Sequence, residues 1–556
     1  MLELHRREVF MLRSAATTSL LLTSLLMPWV GQADTPEGLW SASGNRGAVA
    51  SGSREATDAG LAMLQGGGNA ADAAAATILT LSVTDSGNFC FGGEVPIIVY
   101  DQERHSTEVL SGQGCAPRLA TREKFAEKEP MNSVQTAAVP AALDAVLTLL
   151  DRAGTRSFAQ ASESMLQVLD RHEKDWHADL AATIRRLIDA EKVAGGDRRR
   201  GLRLVADYFY RGPLAHEIDA WSRENGGLLR FADLATHVTR VEDPVTIDYR
   251  GYTVCKCGPW TQGPFLLQTL RLLEPTDVKS LGHDSADYIH LVTEAMKLSL
   301  ADRDTYYADP LFADVPLPQL LSKDYANIRR PLIDPKHASL VLRPGDPRGG
   351  KAERAPLAVP TVNKAAASDT TTCLVADQWG NVVAATPSGW GGVMAGKTGV
   401  HLGTRLISLN TWADHPNCIE PGKRPRITLT PTIVLKDHKP ALAISVAGGD
   451  LQDQVSIQLL IDCLDFGMTP AQAVVAPRFG TNHHIGSFRQ TPPALGSLSV
   501  YEDVGEKTIA ELAARGHQVK GTKGPIASPC VLSRDEATGK LQAAGDPKAG
   551  RHAAAY

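Results

Sequence analysis

The sequence predicts a layered α/β sandwich from three observations: two apolar-periodic helices near the start, strand pairs bounded by Asp, Asn and Gly turns, and helices after the last strand pairs. Of its 556 residues 43% are hydrophobic, enough to bury one large core or two to three ordinary domains. The 57 basic and 62 acidic residues leave a net charge of -5, too weak a field to make nucleic acid or anionic lipid the main partner. A small molecule is the expected partner.

Residues 1–33 read as a signal peptide. Arg6, Arg7 and Arg13 precede the apolar run from Ala15 to Val30, and Gly31 and Ala33 supply small residues for cleavage before Asp34. This leader implies export to the periplasm or the medium. An uncleaved anchor is the alternative, and Met11 is an alternative start. No later stretch is long and apolar enough to cross a bilayer.

From Glu55 to Val83 two helices are joined by Gly66-Gly67-Gly68-Asn69, where the glycines end the first helix and Asn69 caps the second. The run lacks the Lys-Ser/Thr of a phosphate loop. Pro96 to Tyr100 and Ser106 to Leu110 read as strands turning at Asp101-Gln102-Glu103. From Val139 to about Asp334 the chain is mostly helical, and Arg198-Arg199-Arg200 reads as a solvated turn because acidic residues surround it. Arg343 to Asp369 has no hydrophobic period and is expected as an exposed or mobile connection. Beyond it, Thr371 to Ala376 pairs with Val382 to Thr386, and Thr432 to Lys436 pairs with Ala441 to Val446. Helices follow near Gln454 to Phe466 and Glu506 to Arg515.

Eight cysteines are even enough for four disulfides, with a pairing the sequence does not reveal. Cys255 and Cys257 form a lone C-x-C, and His483-His484 lacks further ligands, so neither metal nor cofactor is expected.

The junction Asp369-Thr370-Thr371-Thr372, where a linker runs straight into a core strand, suits self-cleavage. Attack by the Thr370 hydroxyl on the Asp369 carbonyl gives an ester, and its hydrolysis leaves a threonine whose own α-amine lies beside its hydroxyl. With an ordinary pKa of about 7.7 to 8.0, that amine is close to being a competent base at neutral pH. Ala447-Gly448-Gly449, at the end of a strand, offers backbone N–H groups to a developing oxyanion without side chains in the way. Taken alone, the glycines also fit a plain strand-to-helix turn and the threonines plain β-propensity.

Motifs spread along the chain resemble the γ-glutamyltranspeptidase family: Gly47-Ala48-Val49-Ala50-Ser51, Gly67-Gly68-Asn69-Ala70-Ala71-Asp72-Ala73, Asp248-Tyr249-Arg250-Gly251-Tyr252, Gln262-Gly263-Pro264, Ala295-Met296-Lys297-Leu298, Lys423-Arg424-Pro425, Thr430-Pro431-Thr432-Ile433-Val434 and Ala476-Pro477-Arg478-Phe479. The resemblance implies the four-layer αββα fold of N-terminal nucleophile hydrolases. It implies a proenzyme cut into a large subunit, 34–369, and a small catalytic subunit, 370–556. Aligning Asp377, Gly380 and Asn381 with the family pattern places the nucleophile at Thr370, with Thr371 and Thr372 as register alternatives. The family's supporting hydroxyl falls on Ser388 and its oxyanion glycines on Gly448 and Gly449.

Substrate contacts depart from that pattern. Gln113 stands where the family has an arginine for the γ-glutamyl α-carboxylate, and a neutral amide does not replace a bidentate guanidinium. Ile427 and Thr428 stand for paired serines, Arg405 through Ser408 for an acidic motif, and the segment before Lys423 is short for a lid. Arg405, Asp450 and Asp453 are candidates for a different acyl pocket, with ion pairing as the bland alternative for each. The resemblance thus implies an amidohydrolase and acyltransferase for γ-glutamyl amides such as glutathione, with water or an amine as acceptor. The alternatives are an acylase for a non-glutamyl amide and an inactive exported binding protein. A serine hydrolase is disfavoured because no G-x-S-x-G elbow occurs.

Overall fold

In the computed structural model, residues 39–127, 133–356, 370–389 and 392–556 are described; the predicted signal peptide and Asp369 lie outside them. The helix hairpin forms as Arg54–Gln65 and Ala70–Thr84. The Asn69 side chain accepts from Ala71 N and Asp72 N, and the Asp72 carboxylate accepts from Asn69 N at 3.0 Å, a reciprocal cap. Asp377 ties this helix to the strand Cys373–Asp377: its carboxylate accepts from Ala70 N at 2.9 Å while closing its own turn through Trp379 N and Asn381 N.

Two seven-stranded sheets dominate the fold. The first runs His552–Ala555, Gly47–Ser51, Cys373–Asp377, Val382–Ala385, Ile97–Asp101, Ser106–Leu110, Val241–Glu242. The second runs Ser41–Gly44, Leu541–Gly545, Ser528–Arg534, Lys439–Ala447, Thr432–Lys436, Tyr252–Lys256, Val245–Tyr249. All neighbours within both sheets are antiparallel.

The alternation of side chains along each strand sorts them into layers. Leu374, Ala376, Val382 and Ala384 meet Ile433, Ala443, Cys530 and Leu532 in the core between the sheets. Their neighbours Cys373, Val375, Val383 and Ala385 face a helical layer containing the Ala70–Thr84 helix. On the other side, Val434, Ile444 and Val531 pack against helices Pro264–Leu273, Ala286–Tyr306 and Leu451–Leu464. The result is the expected αββα order.

Two local expectations are corrected. Arg198-Arg199-Arg200 opens the helix Arg198–Tyr210, because Asp197 accepts from Arg200 N and caps it. Arg343 is no free linker residue: it donates to Leu332 O at 2.6 Å and to Glu294 at 2.9 Å, and its own carbonyl accepts from Arg329. All eight cysteines are free thiols, and none of the described helices is long and apolar enough to cross a membrane.

Candidate active site

Thr370 is buried and lies three residues ahead of the Cys373–Asp377 strand. That strand's start is held by Thr371 N donating to Pro387 O at 2.8 Å and by Gly52 N donating to Thr372 O at 3.1 Å. The three threonine hydroxyls then point to different neighbours. Thr371 Oγ1 accepts from Arg551 at 3.4 Å, Thr372 Oγ1 lies 3.2 Å from Cys530 Sγ, and Thr370 Oγ1 lies 3.3 Å from the Gln452 carboxamide.

Ser388 begins a two-residue strand that pairs with Phe89–Glu94, opposite Glu94 itself. Its Oγ accepts from Arg405 Nη2 at 2.7 Å, and Arg405 Nε donates to Glu94 Oε1 at 2.5 Å. All three residues are buried. The Arg405 guanidinium also sits 5.5 Å from the centroid of the Phe488 ring, a cation–π distance.

Gly448 and Gly449 follow the Lys439–Ala447 strand and lead into the Leu451–Leu464 helix. Gly448 has φ +149°, and a Cβ there would lie 2.7 Å from the Ala527 Cβ, so the turn needs glycine. Among the described residues neither glycine N–H donates to a protein acceptor, which leaves both available to an oxyanion. Both line a cavity of about 320 Å³ whose other walls include Leu451, His484, Phe488 and Pro492.

The predicted charged pocket residues are already engaged. Asp450 accepts from Arg303 at 2.6 Å and from Ser487 N and Oγ at 2.9 and 2.5 Å. Burial alone would raise its pKa, but Arg303, His484 and the Ser487 bonds hold it well below the ordinary carboxylate range. This fixes the loop carrying Phe488, which Asp304 also grips through Ile485 N at 2.7 Å. Asp453 is elsewhere: it is fully buried against Lys256 at 2.7 Å, and burial, opposed by Lys256, pushes its pKa up to about 6. Gln113 is buried, donates to Gly114 O at 3.1 Å, and its Oε1 has no partner among the described residues. Thr428 is buried, with its carbonyl accepting from Gln262 Nε2 at 3.2 Å and its Oγ1 lying 3.5 Å from the Gln452 amide.

Sequence reasoning missed Glu94 and Gln452. The signals were an acid closing the otherwise apolar Phe89-Cys90-Phe91-Gly92-Gly93 stretch and an amide in the first helical turn after the paired glycines. His290, Glu294 and His517 group closely enough to be considered for a metal. Glu294, however, is already taken by Lys297, Arg343 and Ser339 N, and two cations beside the site disfavour a third.

The family model described as Gamma-glutamyltranspeptidase matches residues 56–171 and 177–556. The Glutathione hydrolase-like YwrD proenzyme of Bacillus subtilis (strain 168) is 30% identical over 526 residues, 89% of this chain and 95% of that protein. The solved structure of LmbA2991HD aligns at TM-score 0.82 and 33% identity, covering 93% of this chain and 99% of that one. The cephalosporin acylase from Bacillus halodurans aligns at TM-score 0.78 and 26% identity, covering 97% and 99%. With a family match over nearly all of the described chain and the same layered architecture, this protein belongs to the γ-glutamyltranspeptidase family.

Proposed function

We propose that the protein is a self-processing amidohydrolase and acyltransferase with Thr370 as nucleophile, and that its preferred acyl group lacks the charged amino-acid head of a γ-glutamyl donor. The observation that carries the nucleophile assignment is the contact between Thr370 Oγ1 and Gln452, three residues past Gly449. Of the three adjacent threonines, Thr370 is the one whose hydroxyl contacts the first turn of the helix that follows the paired glycines.

In the precursor, Thr370 Oγ bonds to the Asp369 carbonyl carbon, the peptide C–N bond breaks, and the nitrogen takes up a proton to become the new α-amine. Water then hydrolyses the ester, leaving a carboxylate on Asp369 and a free hydroxyl on Thr370. In the mature enzyme the α-amine takes the hydroxyl proton as Oγ bonds to the substrate carbonyl carbon. The Gly448 and Gly449 N–H groups meet the oxyanion, and one such donor is worth on the order of 10²-fold in rate. Collapse breaks the amide C–N bond, the α-ammonium returns its proton to the leaving amine, and water or a second amine takes the acyl group from the Thr370 ester.

The acyl preference follows from charge. Gln113 brings no cation to an α-carboxylate, Arg405 is committed to Glu94 and Ser388, and Asp450 to Arg303 and Ser487. A γ-glutamyl head would leave two charges poorly compensated, which is costly in a buried site. Cleavage of γ-glutamyl amides is the second reading, favoured by the likeness to a glutathione hydrolase-like proenzyme.

The test compares hydrolysis of γ-glutamyl-p-nitroanilide with that of anilides bearing uncharged acyl groups, for the wild type and for Gln113→Arg. The proposal expects the neutral acyl anilides to be preferred by the wild type and γ-glutamyl activity to rise in the variant. A wild type that prefers the γ-glutamyl anilide, with Gln113→Arg no better, supports the second reading.

A further inference from the structure

Gln452 is buried, and its carboxamide touches four groups: the carbonyls of Thr428 and Val446, and the hydroxyls of Thr370 and Thr428. Two carbonyl oxygens need N–H donors, which assigns the amide orientation. With Nε2 placed on Thr428 O at 3.0 Å and Val446 O at 3.1 Å, both amide hydrogens are used, and Oε1 accepts from Thr370 Oγ1 at 3.3 Å. The reverse orientation sets the amide oxygen against two other acceptors.

From this geometry we infer that Gln452 is a catalytic residue that holds the Thr370 hydroxyl in register with the oxyanion glycines, an inference that rests on the reading of Thr370 as nucleophile. Its amide is pinned on one side to Val446, two residues before Gly448, and on the other to Thr428. Its backbone N–H donates to Gly449 O at 3.1 Å, so the side chain springs from the glycine turn itself. Nucleophile and oxyanion donors are thereby referenced to one rigid strand end, which is what an in-line attack requires. A separation of 3.3 Å is long for a hydroxyl bond and fits a nucleophile held before reaction. The hydroxyl has a single hydrogen: the carboxamide accepts it at rest but is too weak a base to take the proton, and at attack the hydrogen turns from Gln452 to the α-amine. Gln452 acts in both reactions of Thr370: chain cleavage and turnover.

The experiment uses the full chain with Gln452→Leu and Gln452→Glu. Intact mass follows chain splitting over time, and anilide hydrolysis by the split enzyme gives kcat, KM and their pH dependence, with thermal melts across the same pH range. For Gln452→Leu, splitting and kcat are expected to fall about 10- to 100-fold while KM changes less than about twofold. For Gln452→Glu, a protonated carboxyl has one O–H to donate and one oxygen to accept. Activity should therefore fall as pH rises through that carboxyl's titration, an ionisation the wild type lacks. If Gln452→Leu does not fold, the Gln452→Glu profile decides alone. Wild-type splitting and kcat in Gln452→Leu, or a Gln452→Glu profile that superimposes on the wild type, overturns the inference. A wild type that neither splits nor hydrolyses any anilide overturns the nucleophile reading itself, and this role with it.

Discussion

Arg405 donates to Ser388 Oγ at 2.7 Å through Nη2 and meets Glu94 at 2.5 Å through Nε, so one guanidinium joins the predicted supporting hydroxyl to a buried acid. The planar fork serves both partners at once, which a lysine ammonium would not do in the same geometry. Arg405 is thus read as a positioning residue for Ser388, in place of the substrate contact that its sequence position suggested.

Replacing Arg405 with Met strands the Glu94 carboxylate in the interior, and breaking such a pair typically costs about 3 to 5 kcal/mol. Arg405→Met should therefore lower the denaturation midpoint markedly and cut amide hydrolysis at least about tenfold. The double variant Glu94→Gln/Arg405→Met should recover much of the stability and little of the activity. Equal recovery of both would assign the pair to stability alone.

Gly448→Ala places a methyl 2.7 Å from Ala527 at a backbone angle that side chains rarely adopt. The turn must shift, and both N–H donors shift with it. Hydrolysis should drop by about 100-fold or more, in keeping with the loss of an oxyanion donor. An alanine variant with wild-type turnover would move the oxyanion site elsewhere.

Acid should destabilise the protein below about pH 6.5, the unfolded value for histidine. Burial first and Lys297 second push the His483 pKa down to about 3, and burial with Lys297 and His290 does the same for His517. His483 is held neutral by geometry: Nδ1 accepts from Gly496 N at 2.9 Å while Nε2 meets Val341 O at 3.1 Å. With folded values depressed, the unfolded chain binds more protons, so this stability is present above pH 6.5 and is lost as pH falls toward 3. The raised Asp453 works the other way, contributing stability that disappears as pH rises through about 6. The histidine contribution is isolated by comparison: between pH 7 and pH 4.5 the urea midpoint of the wild type should fall more steeply than that of His483→Gln.

Local patterns carried the fold well, because the strand alternation at Leu374, Val375 and Ala376 reports directly which layer each residue faces. The Asn69 cap and the Gly448-Gly449 turn were legible for the same reason: their determinants lie within a few residues of one another. Arg198 was misread because one capping residue, Asp197, turns a charged run into the first turn of a helix. Glu94 and Arg405 are 311 residues apart in sequence, and Gln452 and Thr370 are 82 apart. Neither pairing leaves a local trace, and only the packed sheets bring them together.

The most direct test of the central claim is the intact denatured mass of the wild type and of Thr370→Ala after prolonged incubation, with N-terminal sequencing of any smaller fragment. The account predicts that the wild type splits to release a chain beginning at Thr370 and that Thr370→Ala stays whole. A wild type that remains one chain, or a variant that splits at the same bond, would contradict it.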